Sequence, residues 1–260
     1  MKTKLLLRKL AQNYPKKIAK KYHDPVGLQT GKLKEDTNCI LLCLDFDEIV
    51  YDYMLKNNLF DKVDLIITHH PFIFGTKSRV FKYDMNKKIL CEKIDEKNIP
   101  IYSYHTNFDE GVDGMNDALA NKLKLTNIVS LNGDPMARGG DLQTEMDALS
   151  FAKYANNLLN VDYSFLINNG SNKIKKVAIV GGGGWHSNKI AQDEGYDIFI
   201  SGDIPHHGRR EIISRKFNYL DMPHEIEKIF MVQMKNKILE INKDLQIITI
   251  DHEILPILCN

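Results

Sequence analysis

Apolar residues in this chain come as short continuous runs alternating with longer stretches at helical spacing. Ile40-Leu41-Leu42-Cys43-Leu44 is unbroken, the signature of a strand buried on both faces, and it ends in Asp45 and Asp47 before a predicted helix from Glu48 to Lys56. Asp64 to Thr68 predicts the next strand, Lys87 to Lys97 a helix, Ile99 to Tyr104 a third strand, and Gly114 to Lys124 a further helix. Such alternation argues for a mostly parallel sheet in an α/β domain. Ahead of it, Met1 to His23 predicts two short helices broken at Pro15. That stretch holds eight Lys or Arg and no acid. Because Leu6, Leu10 and Ile18 recur at helical spacing, it reads as a solvated helical face rather than a nucleic-acid arm.

Asn132-Gly133-Asp134-Pro135 and Gly139-Gly140 mark a break near residues 125 to 140, where a second unit begins. There, Asp141 to Leu159 includes a helix, Val177 to Val180 predicts a strand, His186 to Glu194 a helix, and Tyr196 to Ile200 a strand. A helix then runs from Pro223 to about Ile241, and Leu245 to Ile250 predicts a last strand. The expectation is two α/β domains with mostly parallel mixed sheets.

Composition narrows the function classes. The chain has 260 residues, 43% of them hydrophobic, and a formal charge of +1 from 35 basic and 34 acidic residues. Neither the basic excess of a nucleic-acid or membrane-surface binder nor the composition of a disordered chain is present. The longest apolar run falls far short of the ~18 residues of a membrane helix. Four cysteines without a CxxC pair, and an opening without the apolar core of a signal peptide, predict a reducing, cytoplasmic setting. Cys39 and Cys43 read as packing residues.

Candidate chemistry collects where the predicted strands end, the edge at which open α/β sheets bind ligands. One strand runs into His69-His70, another into His105-Thr106-Asn107-Phe108-Asp109, and a third into Ser201-Gly202-Asp203 with His206-His207 beyond. Adjacent histidines at a strand end point to different sides of the chain, which suits a pair of metals better than chelation of one ion; the bland alternative is two surface histidines. A neighbouring imidazole and carboxylate, His105 and Asp109, add the usual donor mixture for zinc, iron, manganese or nickel. His224 and Glu227 share a face at i, i+3. Gly181 to Gly184 follows a strand and precedes a helix, so Gly182 and Gly183 offer either a phosphate cradle or a plain tight turn. Trp185 either packs over that loop or stacks on a base, packing being favoured. His206-His207 would contact a ligand, move protons or cap the next helix. His23 and His252 read as structural.

Taken together these segments resemble the NIF-three-like family, whose bacterial members are often called GTP cyclohydrolase I type 2 homologues. The resemblance rests on Val26-Gly27-Leu28-Gln29-Thr30-Gly31, Thr68-His69-His70-Pro71-Phe72, Tyr104 to Asp109, the glycine loop, Ser201-Gly202-Asp203 with His207, and His224-Glu225-Ile226-Glu227-Lys228, and covers almost the whole chain. It implies a two-domain subunit, a toroidal homohexamer, and a dinuclear metal centre. The ligands it implies are His70 and Asp109 for one ion, His69 and His224 for the other, and Glu227 as a bridge. The metal-site domain would then be discontinuous, 1–125 plus 225–260, with 126–224 as the second domain. Some members space the final His and Glu by four residues, whereas here they are three apart. A third, inserted domain found in some relatives has no room in this length.

The function so implied is a metal-dependent hydrolase acting on a nucleotide or related phosphate-containing small molecule, with two divalent ions per subunit and His105 or His207 transferring protons. No membrane or nucleic-acid partner is expected. The alternatives are a non-enzymatic metal-binding regulatory or scaffold protein, and a nucleotide-binding module that uses the glycine loop alone.

Overall fold

The structure is a computed structural model that describes residues 1–259. It divides into two compact units, residues 1–112 with 230–253 and residues 113–229 with 254–259. Each is built on one mixed sheet.

The sheet of the first unit contains β1 (Gly27–Thr30), β2 (Cys39–Cys43), β3 (Leu65–Thr68), β4 (Ile101–Ser103) and β11 (Gln246–Thr249), in the order β1-β4-β3-β2-β11. Strands β11, β2, β3 and β4 run parallel, and β1 closes one edge antiparallel. Every residue of β2 and β3 is buried, which is why their sequences are continuous apolar runs rather than alternating ones. Leu41, Cys43 and Ile66 pack with Val50 and Met54 of the helix Glu48–Lys56 and with Leu90 and Ile94 of the helix Met85–Glu96. The two cysteines read as packing residues are core side chains.

Parallel strands require crossovers, and these return β2, β3 and β4 in the same direction so that their carboxyl ends share one edge. Main-chain bonds weld that edge: the His69 and His70 amides both donate to the Leu44 carbonyl at 3.1 Å, and the Tyr104 amide donates to Thr68 O at 2.9 Å. The crossover from β3 to β4 holds an additional helix, Lys77–Tyr83, in which no residue is fully buried and only the adjacent Val80 and Phe81 pack on the core, too few to write an apolar stripe.

The second unit contains β5 (Thr126–Ser130), β6 (Arg138–Met146), β7 (Phe165–Ile167), β8 (Ile174–Ile179), β9 (Ile198–Ser201) and β10 (Asn218–Asp221), ordered β5-β6-β8-β9-β10-β7. Only β8, β9 and β10 are parallel; the other pairings are antiparallel. The break predicted near residues 125 to 140 is in fact a hairpin, with the Asn132 to Pro135 turn between β5 and β6. Arg138 anchors it: the buried guanidinium donates to Asp117 through Nε at 2.5 Å and Nη2 at 3.2 Å, and to the Pro135 carbonyl at 2.7 Å. A satisfied fork of this kind is the form in which arginine tolerates burial.

Among the described residues no helix is long and apolar enough to cross a membrane.

Candidate functional site

The first unit gathers three imidazoles at the shared strand edge. His69 and His70 follow β3, His105 follows β4, and one ring nitrogen from each lies within 4.8 Å of the other two. His69 is wholly buried, with Phe230 against its ring at 5.0 Å between centroids, while His70 and His105 are partly exposed. The backbone after His105 turns into a short helix, Thr106–Glu110, that carries Asp109 inward. Asp109 Oδ1 then stands 3.6 Å from His69 Nε2.

Each imidazole is oriented through Nδ1. His69 Nδ1 bonds the Tyr104 carbonyl at 2.9 Å, and a carbonyl only accepts, so Nδ1 carries the proton. In the neutral ring Nε2 then presents its lone pair toward the Asp109 carboxylate, and two acceptors facing one another call for a cation between them. His70 Nδ1 bonds Asp45 Oδ2 at 2.7 Å, and His105 Nδ1 bonds Asp24 Oδ2 at 2.8 Å. Burial, the largest single influence, works to raise the pKa of both carboxyls; hydrogen bonds and positive charge together outweigh it, from His70, His69 and Lys87 at Asp45 and from His105 and Thr106 at Asp24, leaving both below the usual range. Asp45 and Asp47, two residues apart, divide the work at the end of β2. Asp45 turns to His70, while Asp47 caps the next helix by accepting the Val50 amide at 3.0 Å.

The second unit carries His224 and Glu227. The chain after Pro223 was expected to be α-helical, but His224–Lys228 is a 3-10 turn and the α-helix begins only at Ile229. With three residues per turn, positions three apart eclipse one another, so the i, i+3 pair is brought closer together than in an α-helix. His224 Nε2 lies 3.0 Å from Glu227 Oε2, and His224 Nδ1 lies 2.5 Å from Asp203 Oδ2. The imidazole is thus held between two carboxylates, a position that selects for positive charge. Its pKa is pushed up to about 9, first by the hydrogen bond with Glu227, against burial, and further by Asp203.

The glycine loop serves this pair. Gly182 has φ +59°, and a Cβ there would press on Glu227 Oε1 and stand 3.0 Å from His224 Nε2. The Gly181 amide donates to Asn116 Oδ1 at 2.8 Å and the Gly184 amide to Ser201 Oγ at 2.8 Å, so two of the loop's four amides are used internally. Gly183 is exposed beside Asp203. Asp203 itself sits at φ +56°, a left-handed conformation that costs a non-glycine residue and here aims its carboxylate at His224.

The remaining singled-out residues fall elsewhere. His207 is exposed on the first turn of the helix His206–Ser214, edge-on to Trp185 at 5.4 Å between centroids. His252 bonds Asp47 at 3.0 Å. Sequence reading passed over Asp24, Asp45 and Asp203 as orienting groups. A signal existed for two of them, since Asp45 and Asp203 lie at strand ends beside the histidine segments.

Residues 1–256 match the family model described as Duf34/NIF3 (NGG1p interacting factor 3). A Lactococcus lactis protein named GTP cyclohydrolase 1 type 2 homolog is 29% identical over 232 residues, covering 86% of each chain. A Methanocaldococcus jannaschii protein of the same name is 27% identical over 253 residues, covering 96% of this chain and 100% of its own. The solved structure of a Bacillus cereus protein related to NIF3 superposes with a TM-score of 0.85 at 20% identity, covering 100% of this chain and 99% of that one.

Proposed function

Since this chain belongs to the Duf34/NIF3 family, we propose that it is a metal-dependent hydrolase whose ligands are His69, His70, Asp109, His224 and Glu227, and that it holds two divalent ions. The observation that carries the metal reading is the orientation of the histidines: His69, His70 and His224 each use Nδ1 on an oxygen acceptor, the arrangement that fixes a metal-binding tautomer. Two of the three then face a carboxylate with Nε2. The donor set, imidazole with carboxylate, suits zinc, iron, manganese or nickel.

Bound there, such ions would acidify a coordinated water and polarise the scissile group of a substrate. The chain's own residues supply the rest. His105 is the proton-transfer group: its imidazole shares the edge with His69 and His70, and Asp24 holds its Nδ1, the base-and-orienter arrangement of general acid–base catalysis. Asp24 is itself fixed by the Thr106 amide at 3.2 Å and the Thr106 hydroxyl at 2.6 Å, so the ring it orients has little freedom to rotate. Phe230 and Phe108, 5.2 Å apart, form an apolar wall behind His69 that keeps water from its rear.

The substrate class, a nucleotide or related phosphate-containing small molecule, follows from the name its relatives bear. With the chain's charges almost cancelled, attraction for such an anion has to be local, and bound dications supply it. The homohexamer of the resemblance belongs to the same reading, and light scattering of the purified protein tests it. The deciding experiment is turnover of GTP, other nucleotides and small phosphoesters by metal-loaded protein beside a Glu227→Gln variant. The reading expects turnover that the variant loses. Turnover no greater than the variant's would remove the hydrolase, and metal content without turnover would favour the regulatory or scaffold role.

A further inference from the structure

The second unit has a cleft that the metal chemistry leaves unused. It is an open groove of about 640 Å³, lined by residues of the turn Trp185–Ser187, of the helices Asn188–Asp193 and His206–Ser214, and by Arg215. Its volume is that of a small-molecule site. Trp185 has a fixed seat there, because Gly208 lets the helix backbone approach the indole; a Cβ at Gly208 would stand 2.9 Å from Trp185 Cε3. His186, itself exposed, stacks on the same indole with centroids 3.9 Å apart and planes 34° off parallel.

Cations surround this aromatic pair. Lys189, Arg210 and Arg215 line the cleft, and Glu211 is the one acid among the lining residues. Arg215 is held in place by Gln192 Oε1 at 3.0 Å and by Asn188 Oδ1. Lys189 is committed to Asp193 at 2.6 Å. The Arg210 side chain makes no hydrogen bond or ion pair with any described residue, so its guanidinium fork is available to an incoming anion.

We propose that this cleft binds a mononucleotide, the heterocycle stacking on Trp185 and His186 and the phosphate meeting Arg210 and Arg215. Flat π-systems recognise a heterocycle, and guanidinium forks match phosphate oxygens two at a time. A ligand with both parts uses both halves of the cleft. Neither inorganic phosphate nor a free nucleoside does. This site needs no metal, so it stands or falls separately from the hydrolase reading.

Trp185 is the only tryptophan in the chain, so tryptophan emission reports on this residue, and the Arg210 variants separate the cleft from the glycine loop that precedes it. The test titrates chelator-treated, full-length protein with AMP while following that emission. Saturable quenching is expected, with adenosine and with ribose 5-phosphate each binding about tenfold or more weakly, since each forfeits one half of the contacts. Arg210→Ala, at an exposed position where folding is not at risk, should weaken AMP about tenfold, and Arg210→Lys should recover only part of that by restoring charge without the fork. Four results would overturn the proposal: no saturable quenching at millimolar AMP; equal affinity of the Arg210→Ala variant; binding that appears only when metal is restored; or an oligodeoxythymidylate that outcompetes AMP with a steep salt dependence, which would make the cleft a single-strand contact instead.

Discussion

The candidate donors of the first unit stand at the ends of adjacent parallel strands, whereas those of the second ride on a single turn of 3-10 helix beside a glycine. The strand-end set is rich in imidazole, with one buried carboxylate among three rings, and each ring is steered by a group on another segment. The turn-borne set reverses that proportion, one imidazole between two carboxylates. Rigidity has a different source in each. In the first it comes from two fully buried central strands, β2 and β3, and in the second from close approach that only a residue without Cβ allows. The lesson is that the two sets should fail differently: the first through loss of an orienting partner, the second through loss of backbone room.

The largest effects are expected from the ligands themselves. His69→Ala and Glu227→Gln should each weaken metal binding by more than the ~100-fold typical of an orienting partner. Isothermal titration with zinc measures this, and circular dichroism checks that the fold survives. If either variant binds as wild type, that residue leaves the ligand set.

Gly182→Ala comes next and sharpens the contrast. A Cβ in the left-handed region costs about 1–2 kcal/mol, and it would also displace Glu227 and His224. Loss of His224 and Glu227 binding with that of His69 and His70 retained is the expected result, read from histidine NMR shifts on metal addition. A symmetric loss would show that the two sets are not independent in this sense.

Removing an orienting carboxylate should have a smaller effect. Asp45→Asn and Asp203→Asn are each expected to weaken metal binding by ~10–100-fold, the usual consequence of losing the group that fixes a ligand's tautomer. For Asp24→Asn the prediction is turnover reduced with metal content unchanged, because Asp24 orients the proton-transfer histidine rather than a ligand.

The pH response of metal-free protein is the mildest difference. His224 is raised from its unfolded value of 6.5 to about 9, so its carboxylate pair stabilises the fold fully below pH 6.5 and loses that contribution as pH rises through 9. Thermal unfolding of chelated protein should therefore soften between these limits, and Glu227→Gln should flatten the dependence. An unchanged slope in that variant would show that Glu227 is not what holds the His224 proton.

Much of the first unit was legible because burial on both faces writes an unbroken apolar run, as in β2 and β3, and because a sharp change to His69-His70 or His105 marks a strand end. The second unit hid more. β5 is mostly exposed on both faces and so shows no alternation, while β7 has only three residues. The His224–Glu227 pair was visible as a spacing, but an i, i+3 match does not distinguish an α-helix from the 3-10 turn that is present. The orienting contacts were the least accessible: Asp24 lies 81 residues from His105 and Asp45 lies 25 from His70, so only the folded sheet brings them together.

The central claim, that the oriented histidines are metal ligands, is tested most directly by elemental analysis of full-length protein after supplementation with zinc, iron, manganese and nickel and removal of unbound ions. The account predicts about two divalent ions per chain, falling in the His69→Ala and Glu227→Gln variants, as expected for a two-metal site. Protein that retains none of the four metals would contradict it.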